Sequence, residues 1–260
     1  MPMRHLPLDA LTIRGERAFR SIACYPALKR LLREDGFTFR VPDADSGHAH
    51  ADRVLFLNLT FWNAGDSSDV LLDASIDADV VAHAAWHHAA RKALGGSGTA
   101  AALFLGESVA SAFDLYVIGH MLRDGKKTAY LSTQVPAISA AAQGAGVAEE
   151  DLAELLASVA VDPDAAFTDL RALLYDASLA LYAAPDIDGA VAALDTFAEH
   201  RFYGLLHHFA LSTWVLYTRA YAAPARPDDP AVITERALRD ADSPVDWLTA
   251  NWLCGTPAVR

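Results

Sequence analysis

Cysteine is scarce in this chain: two in 260 residues, Cys24 and Cys254, close to opposite ends. Two reduced, partly buried thiols are expected rather than a disulfide framework. Positive charge is also short. Lys and Arg number 21 against 33 Asp and Glu, leaving a formal net charge of −12, a balance that repels phosphate backbones. The short basic cluster of Arg123, Lys126 and Lys127 reads as a solvated turn complementing a helix dipole, so nucleic acid is not an expected partner. The hydrophobic share of 53% is inflated by alanine tracts, and no apolar run of about 18 residues is uninterrupted, so no membrane span is expected. The opening Met1–Pro7 stretch lacks a long apolar segment and soon meets Arg14, Glu16 and Arg17. A secretory signal is therefore not expected, and a cytoplasmic setting is. Absent too are the G-x-x-x-x-G-K-[ST] phosphate loop, a G-x-G-x-x-G following a strand, and the G-x-S-x-G nucleophile elbow.

What remains is mostly helical pattern. A helix is expected over Ala18–Arg33, followed by a polar breaker from Asp43 that carries His48 and His50, read as a solvent-exposed pair. Arg53–Trp62, rich in β-branched and aromatic residues, is expected as a strand. Asn63–Ser68 reads as a turn cluster and Val70–Leu72 as a second short strand. Asp77 and Asp79 supply an acidic start for a helix to about Leu94, which Gly95-Gly96-Ser97-Gly98 stops. A second helix opens at Thr99 and ends near Arg123. Beyond it, helices are expected over Glu149–Val159, from Asp162-Pro163 to Tyr182, and as one long helix from Gly189 to Tyr221, bent at Gly204. The fold class is mainly α with a small β-sheet near the N-terminal third. Residues 1–222 read as a single, mainly helical domain. Residues 223–260 read as a linker and a C-terminal helix and tail packed on it.

Chemistry concentrates in two places. His83 and His87, in His-Ala-Ala-Trp-His, lie four apart and so about 40° apart around a helix, which lets both imidazoles point at one ion. Glu107, in the next helix, would complete a two-His, one-carboxylate site with open positions. It lies in an apolar run where a buried unpaired carboxylate would be costly, and a divalent cation resolves that cost. His88, rotated about 140° from His83, is not expected as a ligand. Asp114, two turns beyond Glu107 on nearly the same face, either orients one of the histidines or pairs with a surface arginine. His120 reads as a residue of the helix end. The second place is Glu199–His208. Here His200, Tyr203 and His207, with Glu199, are candidate catalytic groups across a cavity from the metal, as proton donors or substrate contacts. The plainer reading of this stretch is a solvated stripe. Trp214, Tyr217 and Tyr221 read as core.

The helix pair around His83, His87 and Glu107 resembles the active-site helices of gluzincin-type (zincin) zinc peptidases, over about 40 of the 260 residues. The first-histidine-to-glutamate spacing of 24 residues resembles theirs as well. The resemblance implies His83, His87 and Glu107 as ligands. Where those enzymes place the glutamate that activates the metal-bound water, this chain has Ala84, whose methyl group accepts no proton. Retained ligands without a base suit non-haem iron, so oxidative chemistry on a small molecule or peptide is expected. A zinc hydrolase in which Glu199 or a histidine replaces the base is the second reading. A zincin-like scaffold that binds without catalysing is the third.

Overall fold

The computed structural model describes residues 3–42, 54, 70–96, 98–224 and 226–254. The chain divides into two compact units, Met1–Ala85 and Trp86–Arg260. The expected class holds: helices dominate, and the β structure among the described residues is two small sheets near the N-terminus.

In the first unit β1 (Met3–Pro7) pairs antiparallel with β3 (Thr38–Pro42), with Met3 opposite Pro42 and Pro7 opposite Thr38. β2 (Thr12–Arg14) pairs parallel with β4 (Ser75–Asp77), Ile13 opposite Ile76. A fork of two 2.9 Å hydrogen bonds from Arg14 to the Asp77 carboxylate holds the end of that pair. The helix expected over Ala18–Arg33 is two pieces, α1 (Glu16–Phe19) and α2 (Tyr25–Glu34). The break falls before Pro26, whose missing N–H suits the first turn of a new helix rather than the middle of an old one. Phe19, Ile22, Leu28, Leu32 and Phe39 form the apolar interior of this unit. Val70 makes an isolated bridge to Arg40 rather than opening a strand, and the Leu71 N–H donates to the Arg40 carbonyl at 2.8 Å. Apart from Val54, the strand expected over Arg53–Trp62 lies outside the described residues, as do the Asn63–Ser68 turn and the His48 and His50 pair.

The division between the units falls inside α3 (Ala78–Ala93), which is continuous through it. In the second unit the expected stops and starts are in place. Gly95 and Gly96 follow α3 with φ of 68° and 64°, a region that glycine enters without a Cβ clash. Thr99 caps α4 (Ala100–Arg123), its hydroxyl accepting from the Ala102 N–H at 3.3 Å. α4 is apolar on nearly every side and forms the axis of the unit. It is also long and apolar enough to cross a membrane, but most of it is buried inside the fold. α5 (Ala129–Gly144), absent from the sequence-based expectations, carries Pro136 in its interior. α6 (Glu149–Val161) and α7 (Pro163–Ala183) pack on α4, α7 most extensively. Asp162 caps α7 by accepting from the Ala165 N–H at 2.9 Å.

The single helix expected from Gly189 to Tyr221 is replaced by three elements. These are α8 (Ile187–Asp195), a 3₁₀ segment (Tyr203–Phe209) and α9 (Leu211–Tyr221). Two features accompany the breaks. Gly204 lies so close to Val147 that a Cβ there would collide with the valine side chain. Ala210 adopts φ 53°, the left-handed region, which ends one helix and starts the next. Arg219 on α9 caps the end of α7, donating to the Leu181 and Ala184 carbonyls at 2.6 and 3.0 Å. After α9, Ala223 is bonded through its main chain to the turn before α4. Ala100 N–H donates to its carbonyl at 3.0 Å, and its N–H donates to Gly98 at 2.8 Å. α10 (Pro230–Asp240) and α11 (Pro244–Leu248) close the described chain with a π-helical turn over Thr249–Leu253. This last stretch packs inward: Trp252 meets Trp86 edge-on at 6.4 Å between ring centroids.

Candidate metal centre

His83, His87 and Glu107 come together. One ligand atom from each lies within 4.8 Å of the other two. α3 contributes the histidines from successive turns, and α4 contributes the glutamate. Gly106 precedes that glutamate and sits against α3: a Cβ built on it would lie 3.5 Å from the Ala90 Cβ and 3.8 Å from His87 Nδ1. Nδ1 of His87 therefore faces the α4 backbone, and Nε2 faces the carboxylate, 3.6 Å from Glu107 Oε2. That separation is too long for an ordinary hydrogen bond. It approaches the roughly 3.0–3.4 Å expected between two ligands that each stand about 2.1 Å from one ion. Burial is uneven across the group. The Glu107 side chain is 8% exposed and that of His87 33%, so the carboxylate is enclosed while the imidazole side stays open to solvent. Two imidazoles and one carboxylate form a nitrogen and oxygen donor set that suits a divalent transition metal. The group can hold a metal ion, as the sequence reading expected.

Ala84, the residue in the position of the missing base, is buried. Trp86, between the two histidines in sequence, turns into the core, where it meets Phe113 edge-on at 5.4 Å. Asp114 is half-buried, and its main-chain carbonyl accepts from the Tyr130 hydroxyl at 3.0 Å. His120 lies in the last turn of α4, with Arg123 Nη2 at 2.8 Å from its Nδ1 and the Tyr116 ring 4.3 Å away. Burial and then the Arg123 charge push its pKa down.

The second cluster does not share one helical face, because no single helix contains it. Glu199 is exposed in the turn after α8. His200, half-buried in the same turn, accepts from the Phe202 N–H at 3.2 Å through Nδ1, and burial lowers its pKa. Tyr203 begins the 3₁₀ segment half-buried, while His207 within it is exposed. The neighbour of His207 carries more interest. His208 is half-buried; burial lowers its pKa, and the Asp114 charge opposes this. Sequence reasoning passed over His208 because a helical projection paired His200 with His207.

No protein-family model matches the chain, and no curated protein or solved structure matches it significantly.

Proposed function

We propose that this protein is a metal-dependent enzyme in which His83, His87 and Glu107 hold a non-haem iron that supports oxidation of a small molecule or peptide. The observation that carries this reading is the convergence of three donors within 4.8 Å, with His87 a third exposed. Three protein ligands leave coordination positions for other groups, and the exposed side gives them access. When bound, iron supplies the one-electron chemistry that no protein side chain in the group can. The chain's own residues hold the ion, fix the ring of His87 through its place beside Gly106, and keep the carboxylate shielded. The buried methyl of Ala84 favours this reading over peptide hydrolysis, which needs a proton acceptor beside the metal-bound water. The zinc hydrolase with a relocated base remains the second reading, since the same donor set suits zinc.

The test is metal content followed by turnover. Protein purified without added metal is analysed for iron and zinc, then reconstituted anaerobically with Fe(II) and exposed to oxygen with candidate small molecules and peptides. Iron at about one ion per chain, with substrate-dependent oxygen uptake, supports the proposal. Zinc retained at that stoichiometry, with hydrolysis and no oxygen uptake, replaces it by the second reading.

A further inference from the structure

Trp86 directly precedes the ligand His87 and stands one turn beyond His83, a spacing that sets the Cβ atoms about 5–6 Å apart. Its side chain is completely buried, and among the described residues the indole Nε1 has no hydrogen-bond partner. A buried N–H left without an acceptor is costly and uncommon in a native interior. Two rings meet the indole edge-on. Phe113 lies 5.4 Å away and Trp252 6.4 Å away between centroids, both in the range of direct aromatic contact. Phe113 in turn stacks on Tyr116 at 5.4 Å. The two directions differ chemically. A phenyl ring resists one-electron oxidation, so Phe113 insulates Tyr116 from the indole, whereas Trp252 is an indole itself. Trp252 also lies near the surface: it is 5% exposed, and Ala250 and Cys254 to either side of it in sequence are exposed.

We propose that Trp86 and Trp252 form a redox relay that carries oxidising equivalents away from the metal centre when no substrate is there to take them. The inference rests on the iron reading above and adds a protective function to that site. With hydrogen peroxide as the oxidant, the step balances. The peroxide takes one electron from ferrous iron and one from the Trp86 indole, and with two protons becomes two waters. Ferric iron and an indole radical cation remain. An oxidised indole is acidic, and loss of its Nε1 proton would trap the hole. Because that N–H of Trp86 has no acceptor among the described residues, the hole is not held there. An electron from Trp252 refills Trp86, and Trp252 releases its own indole proton to solvent and becomes a neutral radical. A small thiol in solution returns one electron and one proton, and two of the resulting thiyl radicals couple to a disulfide.

Mixing Fe(II)-loaded protein anaerobically with about one equivalent of hydrogen peroxide, matched to a single ion per site, tests the relay in the absence of substrate and thiol. Freeze-quench electron paramagnetic resonance reads the radical, and peptide mapping by mass spectrometry reads where oxidation settles. The expected result is an indole radical and oxidation at Trp252, both absent from Zn(II)-loaded protein. Trp86→Phe should keep its iron, lose the Trp252 oxidation and shift the damage to His83 or His87. Trp252→Phe, at the far end of the relay, should also raise damage at those histidines, and it reads the proposal if Trp86→Phe does not fold. Histidine oxidation no higher in the variants than in the wild type overturns the relay. So does Trp252 oxidation that persists in Trp86→Phe or appears with zinc, or its absence from the wild type. Each of these leaves the metal reading intact. Failure of the protein to bind iron overturns the iron reading and the relay with it.

Discussion

His87 Nε2 stands 3.6 Å from Glu107 Oε2, while Nδ1 of the same ring faces Gly106 on the neighbouring helix. Two successive residues of α4 thus flank one imidazole. The glycine leaves room for the ring, and the carboxylate meets its outward nitrogen. Nε2 is therefore the ring nitrogen that His87 offers beside the carboxylate.

Metal addition should raise the stability of the wild-type protein by about 2.7 kcal/mol at a free concentration one hundred times the dissociation constant. His87→Ala should fold but show no such increase, with affinity reduced by more than the 10- to 100-fold typical of losing an outer hydrogen bond. Thermal denaturation with and without metal measures both. Equal stabilisation of the variant would remove His87 from the site.

Ala84→Glu supplies the absent base in the position the zincin resemblance indicates. General-base assistance contributes roughly 10²–10⁴-fold, so zinc-loaded Ala84→Glu should cleave generic peptides where the wild type does so barely or not at all. Because Ala84 is buried, the variant should also lose stability. Brisk cleavage by the wild type would show that another group, Glu199 among them, already acts as base.

Arg171 on α7 is fully buried and paired with Glu235 of α10, which also pairs with Arg239 at 2.7 Å. Burial lowers the Arg171 pKa and raises that of Glu235. Arg171→Met leaves a buried carboxyl without its main partner and should cost about 3–5 kcal/mol at neutral pH. A raised carboxyl is neutral below its folded pKa, so the deficit should shrink under acid conditions and grow as pH rises through that value. Arg171→Met with Glu235→Leu should recover most of the loss. Urea unfolding at several pH values gives all three quantities.

Two glycines make a paired test of close packing. A Cβ at Gly119 would meet the Val159 main-chain oxygen at 2.7 Å, whereas one at Gly204 would meet only the Val147 side chain. Each alanine substitution should cost about 1–3 kcal/mol. Val147→Ala should rescue Gly204→Ala, while Val159→Ala should not rescue Gly119→Ala, because the carbonyl stays. Double-mutant unfolding experiments decide it.

The helix hairpin of the metal site was readable because its signals are local. A four-residue histidine spacing, a glycine stop and the Thr99 cap all act within a turn or two of the residues that carry them. The same holds for Asp162-Pro163. The pairing of β1 with β3 was not readable, since it joins five-residue strands more than thirty positions apart with little alternation to announce them. The bounds of α5 were not drawn from sequence, and its interior Pro136 gives no boundary signal that matches them. The run from Gly189 to Tyr221 keeps a helical rhythm throughout. One break falls at the left-handed turn at Ala210, and the 3₁₀ segment before it sets Gly204 against Val147, far away in sequence.

The main-chain bonds of Ala223 to the turn before α4 change what a cut in the proline-rich stretch would do. A protease that nicked the chain between Pro224 and Pro227 would sever one covalent path. It would leave in place Trp252 against Trp86 and Glu235 against Arg171. The two pieces would then travel as one particle through a sizing column and part only in denaturant. A protein truncated at Ala222 would instead expose the face of Trp86 and strand the charge of Arg171. Nicking and deletion at nearly the same position would thus have opposite outcomes.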